Sequence, residues 1–238
     1  MYIDALVRKS PPDAAKANEI IKALGTRVGN INQSPGLLAA QALVLQARGE
    51  DEFAQQQMTK AFDLSLKSEM ELLGWSGNLS RYFEGRPAKD QIAYLDLLSR
   101  RNTSPQIQSW LDLFIADRLT REDQVPQRAY DILTRLEEPG TNDAIRVRAF
   151  RLHGSAYFNR NDFPKAAEVW GQGAKAFPED WELNNNLAYV LSAKLDRAED
   201  ALSYAQVAID KNIQRSEPYE TMAGIYIKLG KYDEARQM

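Results

Sequence analysis

Histidine, cysteine and clustered carboxylates are the side chains that most often carry catalysis or hold a metal, and this sequence offers few of them. His153, next to Gly154, is the single histidine, and there is no cysteine. Thiolate nucleophiles, thiolate metal sites and disulfides are therefore excluded. A histidine acting as a base needs a nucleophile beside it and a third group to orient it. No serine stands in a G-x-S-x-G elbow to serve as that nucleophile. One histidine without cysteine is also a poor basis for zinc. Neither of the glycine-rich phosphate cradles, G-x-x-x-x-G-K-[ST] or G-x-G-x-x-G, occurs. The acidic run Glu50-Asp51-Glu52 lacks calcium-loop spacing. It reads as the start of a helix, where the dipole favours negative charge. Glu168, Glu179 and Asp180 need no catalytic reading either. These residues predict a non-enzyme with no cofactor and no metal, in which His153 is a partly buried structural side chain.

The charge balance removes another class. The chain has 238 residues, a net charge of −3 and a pI near 5.4. Nucleic-acid binders normally show a basic domain or stripe, and none is visible. Trp75, Tyr82, Phe83, Trp110, Phe114, Trp170 and Trp181 lie at helical spacing without a patch of flanking cations, as core residues do. No apolar run approaches the roughly 18 residues of a membrane span. The opening "MYIDALVRKSPP" lacks the apolar core of a signal peptide. The compartment stays open between cytoplasm and periplasm.

The elements that would position a site come from internal repetition. Phe150, Gly154, Tyr157 and Ala166 are matched by Asn184, Ala188, Leu191 and Ala201, and again by Tyr219, Ala223, Tyr226 and Ala235, at offsets of 34 or 35 residues. An earlier copy runs through Leu38, Ala42, Leu45, Gly49, Ala54, Met58 and Ala61. Apolar residues recur every three and four positions in two segments per copy, joined by short polar turns. No strand-like alternation appears. Small residues at Ala42, Gly154, Ala188 and Ala223 let two helices approach. Leu45, Tyr157, Leu191 and Tyr226, one turn on, fill the space beside each contact. Gly49, Asn161 and Gly230 occupy the position where the first helix must stop. Glycine and asparagine accept a left-handed backbone there.

This pattern of Phe150, Gly154, Tyr157, Ala166, Trp170, Gly173 and Pro178 resembles the tetratricopeptide-repeat family. The resemblance implies an all-α fold, a right-handed superhelical solenoid of stacked antiparallel helix pairs. Pairs are expected to start near 35, 71, 109, 147 and 181, with a partial pair at each end. Residues 1–34 form a partial opening unit, of which 12–30 read as a second helix. Residues 35–146 are repeats that become degenerate from 69, with spacing of roughly 36–38. Residues 147–238 match well, and their last unit is incomplete. Ser34-Pro35 and Thr103-Ser104-Pro105 read as helix starts. The chain stops just inside a second helix with no polar capping helix, which predicts that the 238 residues are a piece of a longer protein.

In this family the first helices line a concave surface that holds a partner peptide. By resemblance, the groove residues are Arg148, Arg151, Ser155 and Phe158, then Asn185, Asn186, Tyr189 and Ser192, and last Glu217, Thr221 and Gly224. An asparagine such as Asn186 offers donor and acceptor together, so it can hold an extended backbone without reading its sequence. The run 184–186 serves equally well to cap or solvate a helix start. Some family members clamp a terminal carboxylate with cations and asparagines. Arg151 and Asn186 suit that role, but Ser155, Glu217 and Thr221 depart from it, and Glu217 would repel a carboxylate. The expected partner is therefore another protein, bound as a peptide or helix by a non-catalytic scaffold. The alternative is a structural subunit that self-assembles through its ends as a homo-oligomer.

Overall fold

Thirteen α-helices follow one another in the computed structural model, which describes residues 13–28, 33–66, 69–101 and 104–238. There is no strand among the described residues, only an isolated bridge between Pro139 and Thr141. We label the helices α1 (Ala14–Val28), α2 (Pro35–Ala47), α3 (Asp51–Ser65), α4 (Glu69–Tyr82), α5 (Ala88–Arg101), α6 (Pro105–Leu119) and α7 (Gln127–Leu136). They continue as α8 (Asp143–Asn159), α9 (Phe163–Ala176), α10 (Trp181–Tyr189), α11 (Ala198–Lys211), α12 (Glu217–Lys228) and α13 (Tyr232–Gln237). A π-helical segment, Val190–Lys194, extends α10. Among the described residues α2–α3, α6–α7, α8–α9, α10–α11 and α12–α13 pack as consecutive pairs. The pairs expected near 71, 109 and 147 begin at Glu69, Pro105 and Asp143. Capping places the last of these starts: the Asn142 side chain accepts from the Ala144 amide at 2.9 Å. The predicted starting Thr103 and the opening stretch 1–12 lie outside the described residues.

The helices gather into two compact units divided between Gln91 and Ile92, within α5. In the first unit, Leu38, Ala42, Met58, Phe62 and Tyr82 are buried side by side. The Trp75 indole packs 4.8 Å from the Phe62 ring and donates to the Met58 carbonyl at 3.3 Å. Side chains secure the turn between α4 and α5. Arg86 donates to the Tyr82 carbonyl at 3.1 Å, and Gln91 donates to the Arg86 carbonyl at 2.8 Å.

In the second unit the core runs through Phe150, Trp170, Leu183, Leu187, Leu191, Ala201 and Ile225. The small-residue positions are the tightest contacts. A methyl group on Gly154 would lie 2.3 Å from Trp170 Nε1. Ala188 and Ala42 are fully buried at the same point of their own pairs, and Ala223 is half-buried.

Three first helices, α2, α8 and α12, close in a common way. Gly49, Asn161 and Gly230 sit at φ +76°, +60° and +72°. Just beyond each, an amide reaches back five residues: Glu50 to Leu45, Asp162 to Tyr157 and Lys231 to Tyr226, at 2.9, 3.0 and 2.9 Å. This left-handed closure satisfies carbonyls that the helix end would leave open. The pair α10–α11 differs. Asp196 takes the left-handed turn at φ +54°. The closing bond runs from Arg197 back six residues to Leu191, at 2.8 Å. One extra residue has been taken up as the π turn, a common way for a helix to absorb an insertion.

Candidate functional site

Helices α8 and α10, the first helices of neighbouring pairs, carry most of the expected groove residues. Asp180 sets the start of α10 by accepting from the Leu183 amide at 3.0 Å. The same carboxylate takes Arg151 of α8 in a two-pronged pair, with Nε at 3.1 Å from Oδ1 and Nη2 on Oδ2. Arg151 Nη1 also reaches Glu182 at 2.7 Å. Two carboxylates thus already answer this cation, and its role is to lock α10 against α8.

The neighbours are disposed as follows. Arg148 is exposed, its guanidinium 5.8 Å from the Trp110 ring. Ser155 turns inward and donates to the Arg151 carbonyl at 2.8 Å. Phe158 is half-buried between Phe163, Trp170 and Tyr189, with ring centroids 5.3, 5.8 and 5.9 Å away. Tyr189 keeps 41% of its surface exposed. Beside it, Lys194 lies 5.9 Å from the Phe158 ring.

The three asparagines divide between two roles. Asn184 is buried, and its amide donates to the Pro178 and Asp180 carbonyls at 3.1 and 2.8 Å. It ties the helix start to the preceding turn. Asn185 is half-buried, with its Oδ1 enclosed and without a donor. Asn186 is half-buried and has no hydrogen-bonding partner among the described residues. Arg148, Phe158, Asn185, Asn186 and Tyr189 therefore keep accessible surface or unmet polar capacity.

Ser192, expected on the groove, is only 4% exposed. It lies in the π segment and donates to the Tyr189 carbonyl at 3.4 Å, where it cannot meet a ligand. Thr221 is buried as well. Glu217 is exposed and 3.7 Å from Arg215, and a side chain added at Gly224 would point into open space.

His153 is 6% exposed, more deeply buried than expected. Its Nδ1 lies 2.7 Å from Glu137 Oε1, and its ring stacks on Tyr157 at 5.1 Å. Burial pushes the Tyr157 hydroxyl above the usual tyrosine range, against the pull of nearby Lys165. No nucleophile accompanies this pair. Among the described residues no group of three or more histidines and carboxylates is placed to hold a metal.

A cleft that the sequence did not announce opens between the second helices α9 and α11. Its volume is about 810 Å³, and Leu187, Leu191 and Leu195 line it. It shares no residue with the first-helix set.

No protein-family model matches the chain. Over 97 residues it is 30% identical to the Protein STIP1 homolog of Dictyostelium discoideum. That match covers 41% of the chain and 17% of the relative, so the chain spans a small part of that protein. Solved structures share the fold over longer stretches. An IFIT1 monomeric mutant with Gppp-AAAA superposes with a TM-score of 0.53 at 13% identity, over 94% of this chain and 54% of that one. The human IFIT1 dimer with m7Gppp-AAAA gives 0.51 at 14%, over 94% and 55%. The MamA RS-1 ArsTM double mutant gives 0.51 at 13%, over 68% and 86%. At such identities the likeness is one of fold. With helix pairs repeating at 34 or 35 residues, small residues at matched contacts and left-handed closures in step, the chain has a fold of stacked helix pairs similar to that of tetratricopeptide-repeat proteins.

Proposed function

We propose that the protein is a non-catalytic scaffold that holds a segment of another protein on the first-helix face of α8 and α10. The observation that carries this reading is the unpaired, half-buried Asn186 side chain next to the exposed Tyr189 ring. Asn186 can give and accept at once, which suits the backbone of an extended or helical segment. Tyr189 and the half-buried Phe158 offer apolar area beside it. Apolar contact would provide affinity, and the asparagines would set register.

Because Asp180 and Glu182 hold Arg151, that cation is not free to clamp a terminal carboxylate. The segment is gripped by its backbone and apolar side chains rather than by its end. The test is capture of partners from an extract of the source cells, then titration of the purified partner. Asn186→Ala is expected to weaken binding about five- to ten-fold, the worth of about one hydrogen bond. Tyr189→Ala should weaken it at least as much. Unchanged affinity in both variants would remove this face from the reading.

A further inference from the structure

The cleft between α9 and α11 has features that the packing of the chain does not require. Its floor is three leucines: Leu187 on α10, Leu191 in the π segment and Leu195 just after it. The π turn is the local feature that sets this pair apart from its neighbours, and such turns recur at functional sites. One wall is lowered by Gly171. A methyl group there would meet only Leu187 Cδ2, at 4.0 Å. Unlike Gly154, this glycine allows no close approach inside the chain, and it costs helix stability. What its absent side chain leaves is room in the cleft.

The rim is acidic. Glu168, Glu199 and Asp200 line it, with Arg197 as the one cation. Arg197 is paired with Asp200 at 2.7 Å. Glu168 and Glu199 have no ion pair among the described residues. A trough floored by leucines, with three carboxylates and one cation at its edge, is complementary to an apolar ridge flanked by cations. The walls are helices, whose backbone groups bond internally, so no strand can be added to an edge. A third helix set into the trough between two others is the geometry that fits.

We propose that this cleft docks an amphipathic, basic helix of a partner protein. Apolar side chains of that helix rest on Leu187, Leu191 and Leu195, and its lysines or arginines meet Glu168 and Glu199. This second surface is independent of the first-helix face.

The probe is a synthetic helical peptide with leucines on one face and lysines flanking them. A matched peptide carries glutamates in place of the lysines. Calorimetric titration against the whole chain is expected to show one-to-one binding of the leucine–lysine peptide only. Glu168→Lys with Glu199→Lys should weaken it about ten-fold or more, as loss of two charge contacts would. Gly171→Leu, which fills the trough, should do the same while circular dichroism shows the fold retained. Glu122→Lys, an exposed charge outside the cleft, and Asn186→Ala on the first-helix face should each change affinity by less than about two-fold. Three results would overturn the proposal. One is equal binding of the leucine–glutamate peptide. Another is full binding by folded Gly171→Leu. The third is self-association of the chain that Gly171→Leu abolishes, which would assign the cleft to a second copy.

Discussion

The pair α8–α9 and the pair α10–α11 are built on one plan and differ in two respects. In the first, Gly154 admits the Trp170 indole, whose Nε1 donates to the Arg151 carbonyl at 3.3 Å. In the second, the matched positions are Ala188 and Ala205, both fully buried. The volume missing from one helix is thus supplied by its partner in the first pair and shared evenly in the second. Close packing demands this reciprocity. The second respect is length. Asn161 closes α8 with a five-residue bond, while the π turn and Asp196 close α10 with a six-residue bond. The extra residue is absorbed within one turn, and Ala201 still falls where Ala166 does. Repeat proteins tolerate such changes because each pair mainly meets its neighbours. Here the change also leaves Leu191 and Leu195 lining an open cleft.

Three pairs of substitutions test this contrast, measured as urea midpoints at constant slope. The largest effect is expected for Trp170→Ala, a loss of about 3–5 kcal/mol from a buried aromatic, against about 1 kcal/mol for Ala205→Gly in the sister pair. Equal losses would show that the two interfaces are not reciprocal. Next, Gly154→Ala should destabilise by about 1–3 kcal/mol through overpacking against Trp170. Gly171→Ala, on the cleft wall, should be neutral or stabilise by up to about 1 kcal/mol. A harmless Gly154→Ala would contradict the close approach. The smallest effect belongs to the turn. Asp196→Gly should stabilise by about 0.5–1 kcal/mol by relieving a left-handed backbone. Asn161→Gly should gain less, since asparagine tolerates that conformation. The Asp196–Lys228 pair that is lost is exposed, so it offsets little.

The well-matched pairs were legible because their determinants are local. A glycine or asparagine at a left-handed turn and a small residue beside a large one can be read along the chain. Even the π turn left a trace. Tyr157 to Leu191 is 34 residues, but Asn161 to Asp196 and Ala166 to Ala201 are 35. The added residue must lie between 191 and 196. The degenerate stretch was harder, since Arg86 and Gln91 bond the carbonyls around the α4–α5 turn. Side-chain caps of that kind have no fixed spacing.

The groove residues fared unevenly for a similar reason. Position along a first helix put Asn185, Asn186 and Tyr189 forward as groove residues, but a resemblance cannot report which partners a side chain already has. Arg151 looked free for a ligand because Asp180 and Glu182 lie some thirty positions away in the chain. Ser192 looked exposed because its register assumed an unbroken α-helix. The π turn, rather than helical periodicity, sets where it points.

The amino-acid order alone determined the all-α class, the repeating pair and the points where helices stop, because helix periodicity and turn stereochemistry act over a few residues. The folded arrangement decided which charges are neutralised, which asparagine oxygen goes unmet and where a trough opens between second helices. Those properties depend on atoms that come together only when one helix pair packs on the next.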